Sequence, residues 1–395
     1  MDVVASYQHQ ILEQARRIYY ETPISDETKA AYLSTPRHLF VKRYRVWGSK
    51  EWKEVTKDNL PEHIARLYTD GPLILCGDDD NLLSTLSQPS LVLRMLDMLQ
   101  IRSGHNVLEV GAGSGWNAAL IAKLVGPEGH VHSIEIIPEV AHLAADNIAE
   151  QAITNVSIIA GDGAEGYSDA APYDRVIFTA GLYDLPSHFY QQTREEGLLL
   201  IVVKNRGDDN LFLLRKAGDH FESLDSMPCR FVQLRGKYQI DSLEPISLRE
   251  LVEWTDLQSK EIARKRFWWG GTGKLGFPLY TLGIRSFLGI TEPLFRVFNS
   301  DKAPGPPVPD SYFGLYDSEQ HSLVLAKDDW LIAYGNAVAM NRFLGRVRQW
   351  VDLGMPTGAN FTLQIYPVNH PLTSHPNEWI VRRNESQFVW RLPTQ

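Results

Sequence analysis

The chain has 395 residues, more than one ordinary core needs, so two domains are the default, and an apolar content of 44% excludes a disordered polymer. The net charge of −9 is uneven: acidic and basic side chains balance over residues 241–395, so the acidic excess lies in residues 1–240, which argues against nucleic acid as a partner there. The start has no basic-then-apolar leader and no apolar run is long enough to span a bilayer, so no membrane is expected; two cysteines, Cys76 and Cys229, fit a reducing cytoplasm better than a disulfide framework.

Residues 5–20 and 26–34 read as helices, the second ended by Pro36. From about residue 90 a regular alternation starts. Strand 106–110 leads to helix 115–125, then strand 130–136 to helix 138–151, with Pro138 suited to a first helical turn. Strands 156–160, 173–180 and 198–203 follow. Short apolar runs between helices predict a buried, mostly parallel sheet covered on both faces, an α/β class. Segments 211–216 and 221–227 look like closing antiparallel strands. After about 240 the pattern breaks. Residues 247–269 read as a helix, 301–311 as a proline-rich connection, 323–326 as a strand and 336–352 as a helix, with strands near 361–366, 378–383 and 387–391. Seven of the ten tryptophans fall after residue 240, which predicts a second, α+β domain with an aromatic core or groove. The expected domains are 1–240 and 245–395.

The stretch "VLEVGAGSGW" joins the first parallel strand to its helix, where open α/β sheets bind ligands. Gly111, Gly113 and Gly115 are spaced Gly-x-Gly-x-Gly, tighter than the dinucleotide fingerprint, and Glu109 precedes them. A carboxylate there repels a pyrophosphate and suits an ammonium group. S-adenosyl-L-methionine carries an ammonium, a sulfonium and no phosphate. Glu135 ends the second strand, placed to accept from ribose hydroxyls; Asp162 follows the third, placed to accept from an adenine amino group, with Gly163 letting the base lie on the backbone. Alone, such a carboxylate is as readily a helix cap. Three in order on successive strands predict a class I S-adenosyl-L-methionine-dependent methyltransferase, Rossmann-like, with a seven-stranded sheet and an added C-terminal α+β domain.

The acceptor is narrowed by what is missing. No Asn/Asp-Pro-Pro-aromatic motif of nucleobase N-methyltransferases follows the fourth strand, where "FTAGLYD" (178–184) stands, and no His/carboxylate cluster sits at a strand end, so no metal is expected. Several stretches resemble the protein-L-isoaspartate O-methyltransferase family: "TPRHLFV" (35–41) its "VPRHxFV", "YTDGPL" (68–73) its "YxDxPL", and "TLSQPSLVLRML" (85–96) its "TISQPxxVAxML". The glycine stretch is similar to its cofactor loop, with Trp116 where the family has Tyr and Asn117 where it has Thr. The resemblance covers roughly residues 10–225 and implies methylation of an Asp or isoaspartyl carboxylate in a peptide or protein. It places the hydroxyl of Ser87 beside the methyl donor and substrate carboxylate, as the catalytic group. The other reading of Ser87 is an N-cap for the following helix. Thr85, Gln88 and Thr179 are the expected substrate contacts. A carboxylate is ionised at neutral pH and needs no general base, only alignment and desolvation.

Two departures matter. "LCGDDDNLLST" (75–85) replaces the family's "IGxGQT" at the substrate mouth; its Asp78–Asp80 run reads first as a solvated loop, then as a contact for a basic partner stretch, and last as a metal site. The residues after 245 exceed the short repair enzymes. Similar two-domain relatives tailor ribosomally made peptides in bacteria, methylating one Asp whose ester closes to a succinimide (aspartimide). Tailoring of one peptide, with the C-terminal domain recognising it, is therefore favoured over general isoaspartyl repair; a non-catalytic cofactor-binding protein is the third reading. Trp268 and Trp269 read as core anchors or as part of a peptide groove, and 263–266 and 382–384 as solvated basic faces.

Overall fold

The computed structural model describes residues 3–18, 22–77, 82–206, 208–240, 245–251, 253–266, 279–299, 312–327 and 330–393. The Asp78–Asp80 run, Trp268, Trp269 and the proline-rich 301–311 lie outside the described residues. The chain forms two compact units: Met1–Val202 with Phe212–Asp225 and Phe231–Gln239, and Val203–Leu211 with Ser226–Arg230 and Ile240–Gln395. Among the described residues no helix is long and apolar enough to cross a membrane.

The first unit is built on strands whose apolar runs bury both faces. Asn106–Val110 pairs in parallel with His130–Glu135 on one side and Tyr173–Leu182 on the other, and Val156–Ala160 lies outside His130–Glu135. Thr193–Asn205, Asp208–Ala217 and His220–Cys229 follow in order beyond Tyr173–Leu182. The chain therefore runs outward from Asn106–Val110 and returns to its other side, which puts the switch point at the carboxyl ends of Asn106–Val110 and Tyr173–Leu182. The crossover helix Trp116–Val125 is apolar nearly all round, with Ala118, Ala119, Leu120 and Ile121 fully buried, because it is sandwiched against sheet and neighbouring helices. Helix Pro138–Glu150 opens on Pro138 as expected.

In the second unit, one sheet runs in the order Ile246–Ser247, Phe295–Asn299, Tyr312–Asp317, Ser322–Lys327, Trp330–Tyr334, Glu261–Arg266. Helix Val338–Asp352 packs on its strands, and Arg342 and Arg346 of that helix clasp the buried Glu292 at 2.9 Å each. Trp350 and Trp390 are core residues, the latter edge-on to Phe361. The helix expected over 247–269 does not form. Its first part folds as a short turn, Leu248–Glu250, and a single helical turn, Trp254–Leu257; its second becomes the edge strand Glu261–Arg266. Pairing wins over propensity there because Arg264 and Arg266 lay their guanidinium groups on Trp330 across the strand pair. Arg383, expected on a solvated face, is buried, donates to Asn205 Oδ1 at 3.0 Å and stacks on Phe388.

One buried group organises the N-terminal part of the first unit. Arg37 is 0% exposed. Its Nη1 donates to the carbonyls of Leu67 at 2.7 Å and Thr69 at 3.3 Å, and its Nη2 to Gly71 at 3.1 Å, Leu86 at 3.3 Å and Ser87 at 2.9 Å. The guanidinium also lies 5.7 Å from the Trp116 ring centroid, and Trp116 Nε1 donates to the Thr35 carbonyl at 3.0 Å. Burial pulls its pKa down to about 10, which leaves it charged at neutral pH. Replacing Arg37 with Met removes every donor and leaves buried carbonyls unsatisfied, at a cost of about 3–5 kcal/mol. Arg37→Met should lower the melting temperature by roughly 10 °C; a fall of less than about 3 °C in a calorimetric scan would show that the network is dispensable.

Candidate cofactor and substrate site

A cleft opens at the switch point, lined by the glycine turn, the strand end at Glu135 and the segment 85–87. Gly111, Gly113 and Gly115 all have positive φ, at 100°, 55° and 82°. Two of them answer different needs. A Cβ on Gly111 would lie 2.3 Å from Thr179 Oγ1, so this glycine lets the next strand's hydroxyl approach and donate to the Gly111 carbonyl at 2.6 Å. A Cβ on Gly113 would meet nothing nearer than the Thr85 carbonyl at 3.7 Å and would instead occupy cleft space. Those contacts are ordinary ones, so what calls for glycine at this position is its positive φ.

Glu135 lines the cleft at 6% exposure; it accepts from Gly113 N at 2.9 Å and Ile137 N at 3.1 Å. Burial raises its pKa and the backbone donors oppose the rise. A desolvated carboxylate at this strand end fits a ribose diol. Gly163 also lines the cleft. Asp162 stands behind it: its carboxylate caps a short turn by accepting from Ala164 N at 2.9 Å and accepts from Lys237 N at 2.8 Å. Thr85, Ser87 and Thr179 lie on the cleft wall.

Glu109 is placed differently from the expectation. It is 0% exposed and does not face the cleft, and its oxygens accept from Asn117 Nδ2 at 2.6 Å and Ser133 Oγ at 2.5 Å. It braces the glycine turn from behind, through Asn117, and the ammonium contact assigned to it gives way to this role. Burial raises its pKa to about 7, with the two donors opposing and Glu135 adding to the rise. Gln88 is likewise engaged elsewhere: its amide donates to Asp70 Oδ2 and Ser90 Oγ, each at 3.0 Å, rather than entering the cleft. Ser87 is not the helix cap. The cap position of Pro89–Leu99 is Gln88, without a side-chain bond, and Asp70 supplies the acceptor from outside by taking Ser90 N at 2.9 Å.

Three features escaped the sequence reading. Arg37 and Asp70 sit inside motifs already quoted, "TPRHLFV" and "YTDGPL", but nothing in their spacing announces burial or capping. The third is the segment Phe231–Arg235, which lines the cleft. It is pinned to Gly181 by main-chain bonds, Gly181 N to the Val232 carbonyl at 2.7 Å and Leu234 N to the Gly181 carbonyl at 2.8 Å, and such bonds leave no side-chain signature. Among the described cleft-lining residues, the titratable ones are Glu135 and Arg235.

The order of strands, the glycine turn at the switch point and the buried Glu135 on the cleft wall are those of a class I methyltransferase that uses S-adenosyl-L-methionine. The family model for protein-L-isoaspartate (D-aspartate) O-methyltransferase matches residues 22–239, more than half of the chain, and the chain belongs to that family. The match continues past the last quoted motif and takes in the Phe231–Arg235 segment. Protein-L-isoaspartate O-methyltransferase of Methanothrix thermoacetophila is 37% identical over 216 residues, 54% of this chain and 90% of that protein. Protein-L-isoaspartate O-methyltransferase 1 of Archaeoglobus fulgidus is 34% identical over 232 residues, 58% of this chain and 95% of the relative. A solved structure titled protein-L-isoaspartate O-methyltransferase shares the fold at a TM-score of 0.53 and 20% identity, covering 90% of this chain and 96% of its own. The chain is thus a carboxyl O-methyltransferase with S-adenosyl-L-methionine as methyl donor.

Two predictions follow from the carboxylates. Folded Glu109 keeps its proton to about pH 7, whereas the unfolded chain releases it near the ordinary glutamate value of 4.5. Its protonation favours the fold fully below that lower value, and the benefit is lost as pH rises toward 7, by about 3 kcal/mol. Glu109→Gln should therefore gain stability relative to the parent between pH 5 and pH 7.5 in urea melts of the ligand-free protein, and parallel profiles would remove Glu109 from this account. Glu135→Ala should weaken S-adenosyl-L-methionine binding by about 1.5–3 kcal/mol while the fold persists; unchanged affinity in calorimetry would take Glu135 out of the cofactor site.

Proposed function

We propose that the cleft methylates the free carboxylate of an isoaspartyl residue in damaged peptides and proteins. The observation that carries this is the wall around the methyl-donor site: hydroxyls from Thr85, Ser87 and Thr179, one carboxylate suited to ribose, one arginine, and among the described residues no lysine or histidine to serve as base. An acceptor hydroxyl or amine needs such a base; a carboxylate at neutral pH does not. The Ser87 hydroxyl orients the attacking oxygen along the S–CH3 axis. The methyl ester formed is open to attack by the following backbone nitrogen, which expels methanol and leaves a succinimide.

A second reading, tailoring of one ribosomally made peptide, draws support from the altered substrate mouth. The segment there forms a hairpin, Leu73–Gly77 against Leu82–Leu86, that leads straight to Ser87. The second unit would then recognise that peptide. This unit does not by itself favour tailoring, because a fold likeness over 90% of the chain extends to a structure titled as a protein-L-isoaspartate O-methyltransferase.

The readings separate in one assay. Labelled S-adenosyl-L-methionine is offered with a generic isoaspartyl hexapeptide or with a constrained Asp-Gly peptide. Methylation of the first is expected. Methylation of the constrained peptide alone would establish tailoring, and cofactor binding with neither product would establish a non-catalytic protein. In the productive case Ser87→Ala should lower kcat roughly ten- to hundredfold at unchanged cofactor affinity, because an orienting hydroxyl acts on the transition state. A variant that keeps full turnover would remove Ser87 from the chemistry.

A further inference from the structure

The cleft's lone lining arginine has no part in holding the cofactor as described above. Arg235 is half-buried on the cleft wall, in the segment pinned to Gly181 at one end and to the Asp162 carboxylate, through Lys237 N, at the other. Its backbone is therefore fixed on both sides. The adjacent cation, Lys237, is directed away, paired with Glu165 at 3.0 Å and lying over the Tyr238 ring. Arg235 Nη2 reaches the Leu82 carbonyl at 3.5 Å, at the start of the strand that runs through Thr85 to Ser87. Arg235 thus lines the same cleft as Thr85 and Ser87, the residues expected to meet the acceptor. It does so within the part of the chain that carries the whole acidic excess.

We propose that Arg235 is a specificity-determining residue that captures the acceptor carboxylate, holding one oxygen while the other attacks the methyl group. The inference deepens the carboxylate-acceptor reading and rests on it. The reaction fixes the sign of the effect. A carboxylate oxygen forms the O–CH3 bond, the S–CH3 bond breaks with its electron pair going to sulfur, and the negative and positive charges cancel with no proton moved. A cation beside the carboxylate therefore stabilises the charged ground state more than the charge-depleted transition state. Arg235 gives affinity and selection for an acid, at no gain in turnover.

The test compares the full-length protein with Arg235→Gln and Arg235→Lys, using an isoaspartyl hexapeptide and the same peptide with the acceptor carboxylate replaced by a carboxamide. Peptide affinity is measured with S-adenosylhomocysteine present, and methylation with S-adenosyl-L-methionine. Arg235→Gln should raise KM for the carboxylate peptide about ten- to hundredfold, the effect of losing one charged hydrogen bond, with kcat equal or higher. It should also abolish the preference for carboxylate over carboxamide in binding, and Arg235→Lys should restore part of it. Cofactor affinity should not change. An unaltered carboxylate preference, or a fall in kcat at constant KM, would overturn the assignment, as would a loss of cofactor binding, which would return Arg235 to a structural role. Failure of the parent protein to methylate or prefer the carboxylate peptide would instead overturn the acceptor reading itself.

Discussion

The donor network of Arg37 is the constraint on which the acceptor side depends. A buried guanidinium without a bridging carboxylate depends on carbonyl acceptors, and its planar fork, unlike a lysine's point charge, reaches them in several directions through Nη1 and Nη2, while Nε has no partner. Here those carbonyls belong to Leu67, Thr69, Gly71, Leu86 and Ser87. The motif holding Arg37 is thereby tied to the turn after Tyr68 and to the entry of helix Pro89–Leu99. Asp70, in the same turn, completes the arrangement by accepting from Ser90 and Gln88. Ser87 is held between these two anchors. Its carbonyl is fastened to Arg37, 50 positions earlier in the chain.

The cofactor side follows a different logic. Two carboxylates flank the glycine turn, Glu135 in the cleft and Glu109 behind it, and both have raised pKa values because burial disfavours their charge. Burial is the main cost at both, and Glu135 adds to the rise at Glu109. A ligand bearing sulfonium and ammonium charges relieves that cost, so the same burial that weakens the ligand-free site favours a cationic occupant over a phosphate. The carboxylate that meets the cleft is Glu135, while Glu109 lies behind the turn.

What was legible in the sequence is what repeats locally. The strands Asn106–Val110 and Val156–Ala160 coincide with the expected ranges, and helices Trp116–Val125 and Pro138–Glu150 fall within a residue of theirs, because continuous apolar runs and a proline at a first turn are strong signals. The edge strand Glu261–Arg266 was misread because its charged residues suit a helix surface equally well, and only pairing with Trp330–Tyr334 decides. Helix Leu279–Thr291 was missed: its run is apolar and carries two glycines, so no polar face marks it as a helix. In the site, Glu135, Gly113 and Ser87 were readable from position as residues that line one cleft, their roles there being proposals. Gln88 and Glu109 were not, since whether a polar side chain faces a cleft or a neighbour depends on partners such as Asp70 and Ser133 that lie far off in sequence.

These two halves of the site have separate supports, and that separation explains how one fold serves a narrow chemistry. The glycine turn, Glu135 and Gly163 are fastened to the parallel sheet, which any class I methyltransferase needs. The acceptor wall is fastened instead to Arg37 and Asp70 on one side and, on the other, to a segment clipped by Gly181 and Asp162. Changes in the hairpin that leads to Ser87 therefore alter the acceptor mouth without disturbing the sheet. Asp162 belongs to both supports. Its carboxylate seats the turn beside the cofactor cleft and accepts from Lys237 N, so the backbone that closes the acceptor side is held by a residue whose expected partner is the adenine. One carboxylate thus ties the turn at Gly163, on the cofactor side, to the segment that carries Arg235, on the other.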